Sequence, residues 1–151
     1  MIEYKTLIPE ITLKFKTGNE QKAKISTSQD CFKVMLSFYD MDLLELTESF
    51  IVLFLNRANN TIGWLKVSSG GIAGTIVEIR LIMATAIKCA ASGIILSHNH
   101  PSGNVTPSDA DIKLTRKIKD AALLFDIALI DHIIMSSDSE KYYSMADEGH
   151  I

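Results

Sequence analysis

An α/β fold, a mixed β-sheet flanked by helices, is what this sequence predicts, and three observations carry the expectation. Short apolar runs rich in β-branched residues alternate with longer stretches whose apolar residues recur at helical spacing. One pair of those runs is joined by a short polar turn, so a hairpin sits inside the strand–helix alternation and the sheet must be mixed. The chain of 151 residues is 47% hydrophobic, enough for a real core, and carries no repeat, low-complexity tract or linker, which indicates one globular domain.

The elements follow in order. EITLKFKT, residues 10–17, alternates Ile11, Leu13 and Phe15 onto one face as a strand would, and KTGNEQK then reads as a turn. STSQDCFKVMLSFYD offers Ser26, Thr27 and Ser28 as helix caps, with Cys31, Val34, Met35 and Phe38 on an inner face. Residues 1–45 are thus expected to form a strand and a helix packed on the same domain as residues 46–149. ESFIVLFLN and TIGWLKVSS make the hairpin, turning at Asn59-Asn60. A helix is expected from Glu78 to Ser92, with Ile79, Ile82, Met83, Ala86 and Ala90 inward and Gly93 as its left-handed end. GIILSH is a short buried strand. Pro107 to Phe125 reads as a second long helix, lined inside by Leu114, Ile118, Ala121 and Phe125. IALIDHIIMSS is another strand, and a last short strand near Tyr142 leads into an irregular tail in which His150 is expected to fray.

Composition narrows the function. A net charge of -3 and a pI near 5.8 give no global attraction for nucleic acid or anionic lipid. Cys31 and Cys89 lie far apart with no zinc-like spacing and read as buried free thiols. The N-terminus is interrupted by Glu3, Lys5 and Glu10, unlike a signal peptide, and the richest apolar stretch is broken by Arg80 and Lys88. A cytoplasmic protein without membrane partners is the expectation.

The stretch SHNHPSGNVTPSDAD, Ser97 to Asp111, holds two of the four histidines one residue apart. In extended chain His98 and His100 project from the same side, as two ligands of one metal must. Ser108 and Asp111 then share a face of the following helix, and Asp111 could complete a two-histidine, one-carboxylate set that leaves a fourth position open. The bland alternative is a capped loop, in which Ser108-x-x-Asp111 is a helix-capping box. Thr106 fits better as the cap, with Pro107 at the first helical position and Asp109 at the box position, and this releases Ser108 and Asp111 from structural duty. Spacing favours the metal site.

His98-x-His100, seven residues, Ser108, two residues, Asp111 resembles the JAMM motif of JAB/MPN metalloproteases, and HNHPSG with Pro107, Ser108, Asp111 and Thr115 is similar to the bacterial RadC branch. The likeness extends from about Leu46 to about Gly149. It implies the layered JAB/MPN, cytidine deaminase-like architecture. It also implies a Zn2+-dependent peptidase or isopeptidase with His98, His100 and Asp111 as ligands, acting on an unidentified peptide or protein. Glu48 matches the family's upstream glutamate, which as general base would take a proton from the metal-activated water and hand it to the leaving amine. By itself Glu48 reads as an exposed residue at a strand edge, and Glu45 is the fallback. Ser108 would donate a hydrogen bond to the tetrahedral oxyanion.

The resemblance also brings a DNA-repair label, and nucleic-acid association is the alternative function. The first 45 residues show no Gly-centred helix-hairpin-helix, a segment that longer RadC proteins carry, so strong intrinsic DNA binding is not expected. Iron oxygenases also use two histidines and a carboxylate, but the glutamate, the serine and the mixed strand–helix pattern favour hydrolysis. Zinc deaminases need His-x-Glu and Pro-Cys-x-x-Cys, and neither is present. Lys113, Arg116, Lys117 and Lys119 form a basic stripe read as a solvated helix face. Asp131-His132 lies in an apolar strand with its side chains on opposite faces, and His132 is not expected to be a ligand. Trp64, Tyr142 and Tyr143 are explained by packing.

Overall fold

The computed structural model of the protein describes residues 12, 14–16, 18, 21–69, 76–136, 138 and 141–151. Helix α1 (Ser28–Leu36) opens it, capped by Thr27, which exchanges reciprocal bonds with Asp30. After a 3-10 turn (Met41–Leu43) come strands β1 (Ser49–Leu55) and β2 (Thr61–Ser69), helix α2 (Ile79–Lys88), strand β3 (Gly93–Asn99), helix α3 (Asp109–Leu123), and strands β4 (Ala128–Met135) and β5 (Tyr142–Ser144). The sheet order is β2-β1-β3-β4-β5, antiparallel except between β3 and β4, so the predicted mixed sheet is present. Of the strand expected at residues 10–17, positions 10, 11, 13 and 17 lie outside the described residues and positions 12 and 14–16 are not in a strand; residues 19 and 20 of the turn after it and the stretch 70–75 also lie outside the described residues.

β1 and β3 are buried along their whole length because helices cover both faces. Phe50, Val52 and Phe54 of β1, with Ile94 and Leu96 of β3, meet Ile82, Met83 and Ala86 of α2 and Ile118 and Ala122 of α3. Ile51, Leu53 and Leu55, with Ile95 of β3 and Ile133 of β4, meet Cys31, Phe32 and Met35 of α1. Fully burying each of the Val, Leu, Ile, Phe and Met side chains among these contributes about 1.5–3 kcal/mol, so register is strongly specified: a slip of one residue would exchange the two faces. Both cysteines are free and buried, as expected. The hairpin turns where the sequence placed it: Asn59 takes a left-handed φ of 57°, and the Asn56 side chain accepts from the Ala58 and Asn60 amides. Among the described residues no helix is long and apolar enough to cross a membrane.

Several boundaries differ from the sequence reading. The helix expected to run to Ser92 ends at Lys88, and its left-handed residue is Ala90 at φ 51°, not Gly93. The Ala91 amide donates to Ala86 and the Ala90 amide to Ile87, a paired closure that satisfies two end carbonyls and tolerates an alanine's strain. Gly93 opens β3 instead, where an added Cβ would stand 2.6 Å from Ile130 Cδ1. Phe125, expected inside, is 51% exposed. The chain reverses at Asp126, φ 56°, through the same kind of closure, and Ile127 takes the inner place. His150 is not frayed: its amide donates to Met145 and its Nε2 meets the Tyr143 hydroxyl at 2.9 Å.

Candidate metal centre

Phe50 of β1 stands opposite His98 of β3 in the antiparallel register. Alternation then puts Glu48 and His100, each two residues away, on the same face and at the same end of the sheet. β3 leads through the Pro101-Ser102-Gly103 bend into α3, which carries Asp111 in its first turn. These elements gather Glu48, His98, His100, Ser108 and Asp111 around one cleft of about 250 Å³, walled by Phe50, Val77, Ala110 and Leu114. Glu45 is exposed and is not among the lining residues.

At its floor, His98 Nε2 lies 2.9 Å from His100 Nε2 and 3.2 Å from Asp111 Oδ1, while His100 Nε2 is 3.4 Å from Asp111 Oδ2. A tetrahedral ion with ligand bonds of about 2.0–2.1 Å has ligand-to-ligand edges of roughly 3.3 Å, and these separations, which reach one imidazole from each carboxylate oxygen, are of that size. Among the described residues it is the one group of three or more histidine, cysteine, aspartate or glutamate side chains close enough to hold an ion. A hollow of about 730 Å³ between α1 and the hairpin, near Phe38 and Trp64, is larger but has only Lys22 and Lys33 as charged lining side chains. Among the described residues that line it there is no histidine, cysteine, aspartate or glutamate to hold an ion.

Ser108, not Thr106, caps α3, which corrects the reading that freed Ser108 and Asp111 from structural duty. The Asp111 amide donates to Ser108 Oγ at 3.1 Å, and Asp111 Oδ2 accepts from the Ser108 amide at 2.7 Å and hydroxyl at 2.6 Å. Thr106 is used earlier, its amide donating to Asn104 Oδ1 in the turn before the helix. Starting at Ser108 lets one carboxylate serve both the box and the imidazoles, whereas Asp109 is exposed.

The sequence model of the RadC-like JAB domain family matches residues 25–150. The chain belongs to that family. It is 42% identical over 147 residues to a UPF0758 protein of Flavobacterium johnsoniae, covering 92% of this chain and 62% of the relative. A UPF0758 protein of Porphyromonas gingivalis is 46% identical over 102 residues, 68% of this chain and 44% of that one. One from Aquifex aeolicus is 32% identical over 148 residues, 98% and 61%. The chain therefore spans 44–62% of the length of these relatives.

Electrostatics in this RadC-like JAB domain favour a charged carboxylate at Asp111. Burial pushes the Asp111 carboxyl up, but hydrogen bonds from His100, His98 and Ser108 outweigh it and hold the group far below the usual carboxylate range. The hydrogen bond to Asp111 raises His100 against its own desolvation. Complete burial lowers His132 well below an ordinary histidine.

Four residues behind the cleft were not assigned a site role from sequence. His132 Nε2 meets His98 Nδ1 at 2.8 Å, and Thr115 Oγ1 meets His132 Nδ1 at 2.6 Å. His132 lies outside the donor triangle, and the expected opposite facing holds: Asp131 turns to Ser144 and the Ala146 amide. On the far side of the sheet Asn99 accepts from the Ser49 amide at 2.8 Å and donates to the Leu44 and Thr47 carbonyls, bracketing Glu48. Tyr39 meets Ser97 there at 2.9 Å.

Proposed function

We propose that this domain is a zinc-dependent metallohydrolase that cleaves amide bonds, a peptidase or isopeptidase, with His98, His100 and Asp111 as the metal ligands. The carrying observation is the convergence of two imidazole Nε2 atoms and a charge-stabilised carboxylate at the floor of a cleft that Glu48 also lines. Bound there, a zinc ion supplies Lewis acidity and lowers the pKa of coordinated water toward ~7. Glu48, half-buried at the cleft wall, accepts the proton of the attacking water and delivers it to the leaving amine nitrogen. The Ser108 hydroxyl, which rests on Asp111 Oδ2, rotates to donate to the oxyanion as the scissile carbonyl becomes tetrahedral. Phe50, Val77 and Leu114 give the cleft apolar walls that keep bulk water from these groups. The unpaired buried thiols suit a reducing compartment, and we place the domain in the cytoplasm.

The test is elemental analysis of purified protein together with cleavage of a broad peptide and isopeptide library. One equivalent of zinc and amide hydrolysis that Glu48→Gln abolishes are expected. Full metal retention in both His98→Ala and His100→Ala would remove the site. DNA is expected to bind weakly, given the net charge of -3. A protein neutralising many phosphates would instead lose about 10³ or more in affinity between low and moderate salt. Submicromolar duplex binding at physiological salt with no amide cleavage would give the nucleic-acid reading first place.

A further inference from the structure

A histidine can ligate a metal through Nε2 only when its proton sits on Nδ1, so something must hold that tautomer. For His100 the holder is adjacent: Nδ1 faces the Asn104 carbonyl at 2.5 Å, and a carbonyl can only accept. For His98 it is remote. The partner of its Nδ1 is another imidazole, His132, and two imidazoles alone do not decide which nitrogen carries the proton.

The decision is made at Thr115. Its Oγ1 lies 2.6 Å from the Asp111 carbonyl oxygen and 2.6 Å from His132 Nδ1. A hydroxyl has one proton, and the carbonyl has none, so the Thr115 proton points to Asp111. Oγ1 must then accept, and His132 Nδ1 must carry a hydrogen. His132 is fully buried with no carboxylate at hydrogen-bond distance, and is therefore the neutral ring, whose Nε2 holds a lone pair. That lone pair accepts from His98 Nδ1–H, so Nε2 is the His98 nitrogen turned toward Asp111 and His100 and left for an ion. Phe50 locks both ring planes, stacked on His98 at 6.0 Å and edge-on to His132 at 5.6 Å.

We propose that Thr115 and His132 are positioning residues: a buried chain from the Asp111 carbonyl through Thr115 and His132 fixes the His98 tautomer and so readies its Nε2 for the metal. The chain starts on the backbone of one ligand and ends on the side chain of another, both one turn or one strand from Thr115. This rests on the reading of His98 as a ligand, but the tautomers themselves exist without any ion.

The experiment is long-range proton–nitrogen NMR of the imidazole rings in metal-free protein at neutral pH, followed by zinc titration. Wild type should show His98 and His132 both protonated at Nδ1. Thr115→Val, nearly isosteric, removes the hydroxyl. It should shift both rings toward a tautomer mixture and weaken zinc binding by about 10–100-fold, the usual effect of losing a partner behind a ligand. Thr115→Ser should restore both readouts. Amide spectra as dispersed as wild type check folding, and His132→Gln, whose carbonyl can accept from His98 Nδ1–H, should retain more affinity than His132→Leu. His98 with Nδ1 unprotonated in wild type, or Thr115→Val with unchanged tautomers and zinc affinity, overturns the proposal. Tautomers as stated alongside zinc affinity unaffected by His98→Ala would instead overturn the ligand assignment and leave the chain standing.

Discussion

Ser97, His98 and Asn99 are consecutive, all buried, all polar, and they point to opposite faces of β3. On the α1 face, Ser97 meets Tyr39, and Asn99 meets the Ser49 amide and the Leu44 and Thr47 carbonyls, each donor with an acceptor. On the α3 face, His98 and His132 are likewise joined, but Nε2 of His98, Nε2 of His100 and the Asp111 carboxylate crowd toward a common point. Buried polarity is thus no mark of function in itself. A closed set of hydrogen bonds is architecture, while acceptors converging on one point make a cation site.

The largest test of that contrast is on the α3 face. His98→Ala or His100→Ala should lose stoichiometric zinc, read by elemental analysis, while retaining native circular dichroism. Glu48→Gln should keep the zinc and lower amide-cleavage turnover by roughly 10²–10⁴, the range for a general acid–base group. Loss of metal in Glu48→Gln would instead make Glu48 a ligand and redraw the site.

On the closed face the expected effects are on stability. Asn99→Leu strands buried partners of Ser49, Leu44 and Thr47, and should cost roughly 1–3 kcal/mol for each group left unsatisfied, seen as a lower denaturation midpoint. Zinc stoichiometry should survive. Tyr39→Phe should cost about 1 kcal/mol, with metal and turnover unchanged; altered zinc affinity would show that the faces are not separable. The smallest effect is chemical. Burial, with the negative charge of Asp131 adding to it, pushes the Cys31 thiol up to about 12, so it remains uncharged at any ordinary pH. Iodoacetamide at pH 8 should label it only on unfolding, with no rise in folded-state rate between pH 7 and 9.

Much of this was legible in the residues because alternation and spacing are local. His98 and His100 follow from period two, Asp111 from the helix after the bend, and the hairpin from Asn59-Asn60. The helix ends were not, because closure at Ala90 and Asp126 rather than at a glycine depends on hydrogen bonds that composition does not mark. Of the rival caps, Thr106 carries the better local pattern, with Pro107 behind it, yet Ser108 caps the helix, and it is there that the Asp111 carboxylate also reaches the imidazoles across the cleft. Thr115 and His132 escaped for a different reason. Their partnership crosses from α3 to β4, and its one local sign was that Thr115 lies four residues after Asp111, a single helical turn.

The Asn99 bracket has a kinetic side. Ser49 and Asn99 are 50 residues apart in sequence, yet one side chain fastens the backbone on both sides of Glu48 to the strand that bears the histidines. Closing a flexible loop of that length costs roughly 3.5 kcal/mol by the logarithmic rule, a search completed when the protein folds. A carboxylate on an untethered segment would repeat part of that search at every encounter with a substrate. Here the Glu48 backbone has few alternatives left, and the freedom that remains is rotation about its own side-chain bonds, on the timescale of rotamers rather than of loops.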